Sequence, residues 1–283
     1  MLDIMNQAKN AIEAYNTALK TTSANIAGMG VTGYKRLDVS FQTIFEQVLS
    51  RGTSARGNLG GTNPKQLGQG MALSNISVDF SSGEYVSGSN LDLAISGQGL
   101  FIVSPDGGDS YLYTRAGQFS VDSNGNLLSN GLQVYGFDNA GSLVAISGLP
   151  SGNKNAYRWA DGTVIDSGTG NPYEIGTLLY TADGVNYTSA GYRIALTYFS
   201  NPNGLAQAQG TSFSQTPASG DPATPQLPGG AVGSIRPGQL EQSNVVYLIE
   251  TIDALEMQRA MNGNLTMVRM ASDMISQFIN RLS

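Results

Sequence analysis

Few side chains in this 283-residue sequence can carry chemistry, because it contains no cysteine and no histidine. Missing thiolates and imidazoles exclude disulfides, a cysteine nucleophile, the Ser-His-Asp triad and most zinc sites. Glycosidase-type catalysis would need two carboxylates brought together in a cleft. The available carboxylates mostly fall in predicted turns, where Asp binds local backbone amides; they are Glu84, Asp92, Asp106, Asp109 and Asp122. The sequence therefore predicts no catalytic residue.

Two motifs resemble ligand-binding loops without completing them. "DSNGN", residues 122–126, starts like a calcium loop, but Gln133 stands where the bidentate carboxylate belongs. "SGQGLF", residues 96–101, has two glycines but no third glycine and no helix pattern after them. We expect a turn and a close backbone contact at these places, with no metal and no cofactor.

Composition excludes further classes of protein. The net charge is −6 and no basic run occurs, which argues against a nucleic-acid partner. Charged residues make up only 13% of the chain, and its 36 glycines favour turn-rich β structure. Residues 1–10 lack the basic and apolar regions of a Sec signal, so we expect any export to use another route.

Apolar residues recur at helical spacing near both ends of the chain. The N-terminal pattern forms one heptad seam: Met5, Ala8, Ile12, Tyr15, Leu19, Thr22 and Ile26. The C-terminal pattern forms two stripes, Met261, Leu265, Val268, Ser272, Ile275, Ile279 and Leu282 beside Met257, Ala260, Asn264, Met267, Ala271, Met274 and Phe278. These two stripes are broader than one neighbouring helix can cover. Either the terminal helices pack on each other within a monomer, or helices from other copies cover the remainder.

The middle of the chain has strand spacing. Residues 91–146 contain short β-branched and aromatic runs separated by Asp-Gly, Asn-Gly and Asn-Ala-Gly turns, which predicts an antiparallel meander. More strands are expected across residues 173–200. Glycine-rich residues 51–70 and proline-rich residues 201–239 predict extended connections.

The predicted fold class is α+β. Its N- and C-terminal helices form a coiled-coil domain, joined by extended Gly/Pro-rich linkers to a central antiparallel β-rich domain. We expect five segments along the chain: an N-terminal helix over 1–30, an extended linker over 31–75, the β-rich outer domain over 76–200, a Pro/Gly-rich return linker over 201–239 and a C-terminal helix over 240–283.

Three segments resemble one family. "SANIAGMGVTGYKR" is similar to an N-terminal signature of bacterial flagellar axial proteins, the rod and hook subunits. "ISGQGLFIV" followed by "YLYTRAGQFSVDSNGNLLSNGLQVYGF" resembles the first β domain of that family, and "GQLEQSNVVYLIETIDALEMQRAMNGNLTMV" resembles its C-terminal signature. Residues 60–85 look most like hook subunits, whereas the modest length also suits a distal rod subunit.

The resemblance implies a mechanical function. The chain is expected to be a structural subunit of the flagellar hook, with the distal rod of the basal body as the alternative, and not an enzyme. It would form a helical homopolymer that transmits torque and encloses the export channel. Expected partners are adjoining rod, hook and hook-filament junction proteins, the hook cap protein and the flagellar type III export apparatus, with no small-molecule substrate. The expected location is the flagellum, outside the cell for a hook or in the periplasm for a rod.

Subunit-contact roles are expected at both ends of the chain. The candidates are Ile12, Tyr15, Leu19, Asn25, Tyr34, Lys35, Leu240, Glu241, Asn244, Val245, Gln258, Arg259, Asn264, Leu265, Ile275 and Ile279. A more remote alternative is a secreted β-rich glycan-binding protein or glycosidase whose terminal helices only pack against each other.

Overall fold

The computed structural model describes residues 2–43, 46–52, 54, 60–63, 65–68, 70–150, 153–166 and 168–282. Part of the predicted glycine-rich connection, including residues 55–59, lies outside the described residues. The chain divides into two compact units. The helical unit comprises Met1–Ile26, Leu37–Ile76 and Val246–Ser283, and the β unit comprises Ala27–Arg36 and Ser77–Val245.

Two helices and twenty strands make up the described structure. The helices are α1 (Leu2–Gly28) and α2 (Tyr247–Leu282). The strands are β1 (Leu37–Thr43), β2 (Glu46–Ser50), β3 (Lys65–Gly68), β4 (Met71–Val78), β5 (Tyr85–Ser87), β6 (Leu93–Ser96), β7 (Leu100–Ser104), β8 (Leu112–Thr114), β9 (Phe119–Val121), β10 (Leu127–Ser129), β11 (Leu132–Asp138), β12 (Leu143–Ala145), β13 (Tyr157–Trp159), β14 (Thr177–Tyr180), β15 (Thr188–Ile194), β16 (Leu196–Thr197), β17 (Ala206–Gln207), β18 (Ser212–Ser214), β19 (Ser234–Pro237) and β20 (Gln239–Glu241). Short 3₁₀ helices lie at Lys154–Ala156 and Pro202–Gly204. Terminal helices around antiparallel β structure agree with the predicted α+β class.

Local sequence explains the tightest hairpin of the β unit. Asn130 and Gly131 join β10 to β11, and both have positive φ, 50° and 82°. Two consecutive residues of this kind form the turn whose twist matches that of paired strands. Ser129 and Leu132 therefore face each other at the end of the hairpin. This turn is one of those that the Asn-Gly pattern predicts.

A large antiparallel sheet organises the β unit. Its main path runs β13-β14-β15-β11-β7-β8-β18-β17, with β9, β10, β12 and β16 attached to it. Trp159 is fully buried in its core, and its indole Nε1 donates a hydrogen bond to the carbonyl oxygen of Leu91 at 2.7 Å. The core consists mostly of aliphatic and aromatic side chains from this sheet and its flanks: Leu91, Leu93, Ile95, Phe101, Val103, Phe119, Leu127, Leu132, Val134, Ile146, Leu149, Tyr157, Trp159, Leu178, Ile194, Leu196, Val232 and Ile235.

Strands occupy parts of both segments for which the sequence predicts extended linkers. In residues 31–75, β1 pairs with β4 and β2 pairs with β3. In residues 201–239, β18 adds to β8, and β19 pairs with β6. The sequence pattern did not indicate β18 and β19, because the segment between them contains four prolines, Pro217, Pro222, Pro225 and Pro228.

Among the described residues, neither α1 nor α2 has the length and apolar content that a membrane-spanning helix requires.

Glycines shape the segment that follows α1. Gly33 has a φ of 71°, and a Cβ there would overlap the backbone nitrogen of Ala116. A Cβ at Gly28 would lie 2.5 Å from the ring of Tyr34, whereas a Cβ at Gly30 would meet nothing within 4 Å. Gly33 is therefore required for both conformation and space, and Gly30 for neither.

We expect Gly33→Ala to lower the free energy of unfolding by about 1–3 kcal/mol, because it adds a strained backbone conformation and a steric overlap. The matched control Gly30→Ala should change it by less than about 0.5 kcal/mol. Urea unfolding of both variants, followed by the fluorescence of the buried Trp159, measures the difference. Equal stability of the two variants would contradict the described geometry.

Candidate assembly site

Small side chains form the buried line of α1. Tyr15, Leu19 and Ile12 are only half-buried, and the Tyr15 ring lies 5.7 Å from that of Phe41. Only Ala8 and Thr22 of the predicted seam belong to the most deeply buried line, because small residues let the neighbouring backbone approach more closely than large ones. The buried line comprises Ala8, Ala11, Ala14, Ala18, Thr21, Thr22 and Asn25.

Asn25 links three elements of the helical unit. Its Nδ2 donates to the carbonyl oxygen of Leu37 at 2.9 Å, and its Oδ1 accepts from the amide nitrogen of Leu37 at 2.9 Å. Nδ2 also lies 3.1 Å from Oε2 of Glu250 on α2. Asn25 and Glu250 are each 1% exposed. This amide imitates a paired strand at the start of β1, so it fixes the ends of both helices against β1.

One side of α2 is covered. The covered residues recur at alternating steps of four and three, which is heptad spacing. Some residues of each predicted stripe belong to this covered line and others do not. Neither predicted stripe is therefore covered as a whole. It comprises Glu250, Ala254, Met257, Met261, Asn264, Val268, Ala271 and Ile275.

A second side of α2 is both apolar and exposed. With about 100° of rotation per residue, its members occupy a sector of about 80° around the helix axis. The middle of this sector lies roughly 110° around the axis from the middle of the covered line. We call this set the apolar stripe: Ile249, Ile252, Met267, Met270, Met274 and Phe278. Leu265 is exposed beyond the opposite edge of the covered line, and Ile279 is exposed one turn after Ile275, the last residue of that line. Monomeric proteins rarely leave a surface such as the apolar stripe in water, so the stripe is a candidate association surface.

In the β unit, Glu241 is the centre of a buried charge cluster. The Nζ atom of Lys35 lies 2.7 Å from its Oε1, and Nη1 of Arg115 lies 3.2 Å from its Oε2. The amide nitrogen of Gly83 also donates to Oε1, at 3.1 Å. Glu241 is 0% exposed, Lys35 2% and Arg115 3%. A buried carboxylate needs such partners because the interior cannot replace its hydration.

The two cations of this cluster also hold backbone oxygens. Lys35 donates to the carbonyl of Ser81 at 2.7 Å, and Arg115 donates to those of Ile95 and Gly97. Burial lowers the pKa of Lys35 below its ordinary value of 10.5, with Glu241 opposing that change. The cluster therefore joins stretches that are distant in sequence within the β unit.

Asn244 extends these contacts beyond β20. Its Oδ1 accepts from the amide nitrogen of Arg36 at 2.8 Å, and its Nδ2 donates to the carbonyl of Asp79 at 2.9 Å and to Oγ of Ser81 at 3.0 Å. The backbone adds a bond from the amide of Gly33 to the carbonyl of Glu241 at 2.8 Å. The segment after α1 is thus tied to the segment after β20.

The structure divides the predicted contact residues into three groups. Asn25, Tyr34, Lys35, Glu241 and Val245 are buried in contacts with their own chain. Half-buried are Ile12, Tyr15, Leu19, Leu240, Asn244, Asn264 and Ile275, and exposed are Gln258, Arg259, Leu265 and Ile279. The contact of each with another subunit stays a prediction.

Sequence reasoning missed two residues of these networks. Arg115 stands in "YTRAGQF" with no periodic signal. Glu250 lies on α2 directly after the exposed residue Ile249. Their partners lie 126 and 225 positions away. Neither residue is flanked by apolar positions on both sides, so the local sequence offers no signal for either.

The carboxylates considered for catalysis serve turns. Hydrogen bonds from Ser110 and Ser104 hold the pKa of Asp106 well below its usual range, and bonds from Asn126 lower that of Asp122. Asp92 accepts from the amide of Ser89 at 2.6 Å. A general acid at neutral pH needs a raised pKa, which is the opposite shift. Over the described ranges, no group of three or more metal-ligating side chains comes together.

A cleft of about 720 Å³ in the β unit contains further carboxylates, among them Asp166 and Glu174. Glu174 at its edge is ion-paired with Arg193. Asp166 accepts hydrogen bonds from Gly168, Thr169 and Tyr173, which lower its pKa. Glu174 and Asp166 are thus both engaged by neighbouring groups of their own chain.

Comparison with known proteins shows a likeness to flagellar proteins. Residues 94–164 match the family model described as the D1 domain of the flagellar hook protein FlgE/F/G. The flagellar basal-body rod protein FlgG of Bacillus subtilis is 28% identical over 283 residues, covering 99% of each chain. The chain is thus similar to a flagellar rod protein over its whole length and to the hook-protein D1 domain over residues 94–164. Rod protein FlgG of Agrobacterium fabrum is 29% identical over 275 residues, covering 95% of each chain.

Hook relatives match a shorter part. The hook protein FlgE of Helicobacter mustelae is 38% identical over 133 residues, which is 46% of this chain and 29% of that protein. Residues 94–164, which match the D1-domain model, include Arg115, one of the two cations that bind Glu241.

We expect Glu241→Gln to lower the free energy of unfolding by about 3–5 kcal/mol, since the change leaves Lys35 and Arg115 buried without their anion. Glu84→Gln is the matched control, because Glu84 is exposed and flanks β5, the strand that pairs with β20. It should cost less than about 0.5 kcal/mol. Urea unfolding of both variants provides the measurement, and a cost below about 1 kcal/mol for Glu241→Gln would contradict the role given to the cluster.

Proposed function

We propose that this chain is a structural, non-enzymatic subunit of the axial tube of the bacterial flagellum. The observation that carries the proposal is the apolar stripe of α2, whose six large side chains are each at least 47% exposed. Sequence similarity supplies the context, because the full-length relatives are named as flagellar rod proteins.

Polymerisation follows from the chemistry of this surface. The covered line of α2 is occupied within one chain, so the apolar stripe is left for a neighbouring copy. Contact between different surfaces of identical subunits produces an open helical filament when the rotation between neighbours does not close into a ring. Such a tube transmits motor torque and encloses a channel for exported subunits. Adjoining rod, hook and junction proteins continue it at both ends, a cap protein serves hook assembly, and the flagellar type III apparatus exports the chain.

We place the chain in the distal rod, inside the cell envelope. The support is that the rod relatives are as long as this chain, with 99% and 95% of both chains aligned. The hook, which the sequence analysis preferred, is the second candidate. Local similarity favours it, because the hook relatives reach 33–38% identity over 131–145 residues, although these make up only 20–31% of each hook protein.

We expect Phe278→Asp to abolish polymerisation of the purified chain, because it places a charge in an apolar contact. Phe278 is 65% exposed, so the free subunit should unfold at the same urea concentration as the wild type. The control Gln277→Asp introduces the same charge at the adjacent exposed position. Sedimentation and electron microscopy detect the polymer. Normal polymers from Phe278→Asp, or their loss in both variants, would count against the apolar stripe as the contact.

Polymer shape separates the two positions in the flagellum. A rod assignment predicts straight tubes from the purified chain under conditions in which hook subunits form curved ones. Electron microscopy of negatively stained polymers makes this comparison directly. Curved tubes would transfer the assignment to the hook, and a chain that stays monomeric up to millimolar concentration would contradict both.

A further inference from the structure

Methionine is concentrated on the exposed side of α2. Five of the nine methionines lie between positions 257 and 274. Met267, Met270 and Met274 are 47%, 52% and 50% exposed, whereas Met257 and Met261 belong to the covered line and are half-buried. At about 100° per residue, the three exposed methionines fall within about 60° of one another.

We propose that Met267, Met270 and Met274 form an oxidation-sensitive patch that controls assembly of the subunit. The proposal rests on the proposed function, since it regulates the same surface. A peroxide is the oxidant class: the thioether sulfur takes one oxygen atom, methionine becomes its sulfoxide, and the peroxide is reduced to water. The thioether sulfur itself supplies the two electrons that reduce the peroxide, so no other side chain has to act as acid, base or reductant in this step.

Oxidation changes the property on which association depends. A thioether is apolar and adapts to an uneven partner surface. A sulfoxide carries a strong acceptor oxygen, and its burial without a donor is unfavourable. Among the other members of the stripe, Phe278 lies one helical turn from Met274 and offers no donor, whereas Ile249 and Ile252 lie more than about 20 Å away along the helix. Three sulfoxides therefore oppose contact between copies, while the fold of the free chain does not depend on these exposed positions.

The same geometry predicts when the patch reacts. In the free subunit the three sulfur atoms lie on a solvent-facing side of α2, so they react before Met257 and Met261. In a polymer whose subunits cover the stripe, they are protected. The patch therefore distinguishes unassembled from assembled chains, and its sulfoxides are of the kind that methionine sulfoxide reductases reverse.

The test treats the full-length folded chain with hydrogen peroxide and maps sulfoxides by mass spectrometry of its peptides. Polymerisation is then measured by sedimentation. We expect sulfoxide at Met267, Met270 and Met274 and a rise in the critical concentration of about tenfold or more. The triple variant Met267→Leu, Met270→Leu, Met274→Leu keeps the stripe apolar and should polymerise equally before and after peroxide.

Met29 provides the matched control. It is 43% exposed in the segment after α1, outside the stripe. Met29→Leu should polymerise before treatment and lose polymerisation after it, as the wild type does. Loss of polymerisation by the treated triple variant would overturn the proposal, as would normal polymerisation of a wild-type chain that carries all three sulfoxides. Untreated wild-type chain that never polymerises would instead overturn the proposed function.

Discussion

The β unit depends on the burial of one carboxylate. Glu241 has no contact with solvent, so its charge must be balanced by Lys35, Arg115 and the amide of Gly83. These partners come from the segment after α1, from the approach to β5 and from the end of β8. Replacing all the charges by matched apolar groups can be neutral for stability, but removing one of them is not. The cluster therefore specifies which segments meet, whatever its net contribution to stability.

Its two cations extend this constraint into the backbone. Lys35 and Arg115 bind carbonyl oxygens at Ser81, Ile95 and Gly97, and Asn244 binds both Arg36 and Asp79. The chain leaves α1 and returns toward α2 through segments fixed by these contacts. The residues that resemble the family signatures thus hold their own chain together. In the helical unit, Asn25 has the corresponding role between Leu37 and Glu250.

The surface of α2 follows a different physical rule. Its covered line is satisfied within the chain, and its apolar stripe is not. Helical periodicity detects the covered line and the part of the stripe from Met267 to Phe278, because these repeat every three or four residues. Periodicity alone does not tell which line the chain covers itself. The structure separates them: one line is covered within the chain and the other is exposed.

Sequence patterns predicted the local elements well and the distant contacts poorly. Terminal helices and the Asn130-Gly131 hairpin follow from spacing and turn chemistry, which act over a few residues. Strands β18 and β19 were not predicted, because they lie in a proline-rich segment and pair with the distant strands β8 and β6. Arg115 and Glu250 were not predicted, because each has its partner more than 120 positions away. Long-range pairing of this kind leaves no short-range signal.

We propose that internal polar contacts hold each subunit together while the apolar stripe of α2 joins subunits. An electron cryomicroscopy reconstruction of the assembled protein, with side chains resolved, can separate these two roles. We expect Ile252, Met270 and Phe278 to contact a neighbouring copy and Glu241 to keep Lys35 and Arg115 of its own chain. A stripe that faces solvent in the polymer, or a Glu241 paired with cations of another subunit, would contradict it.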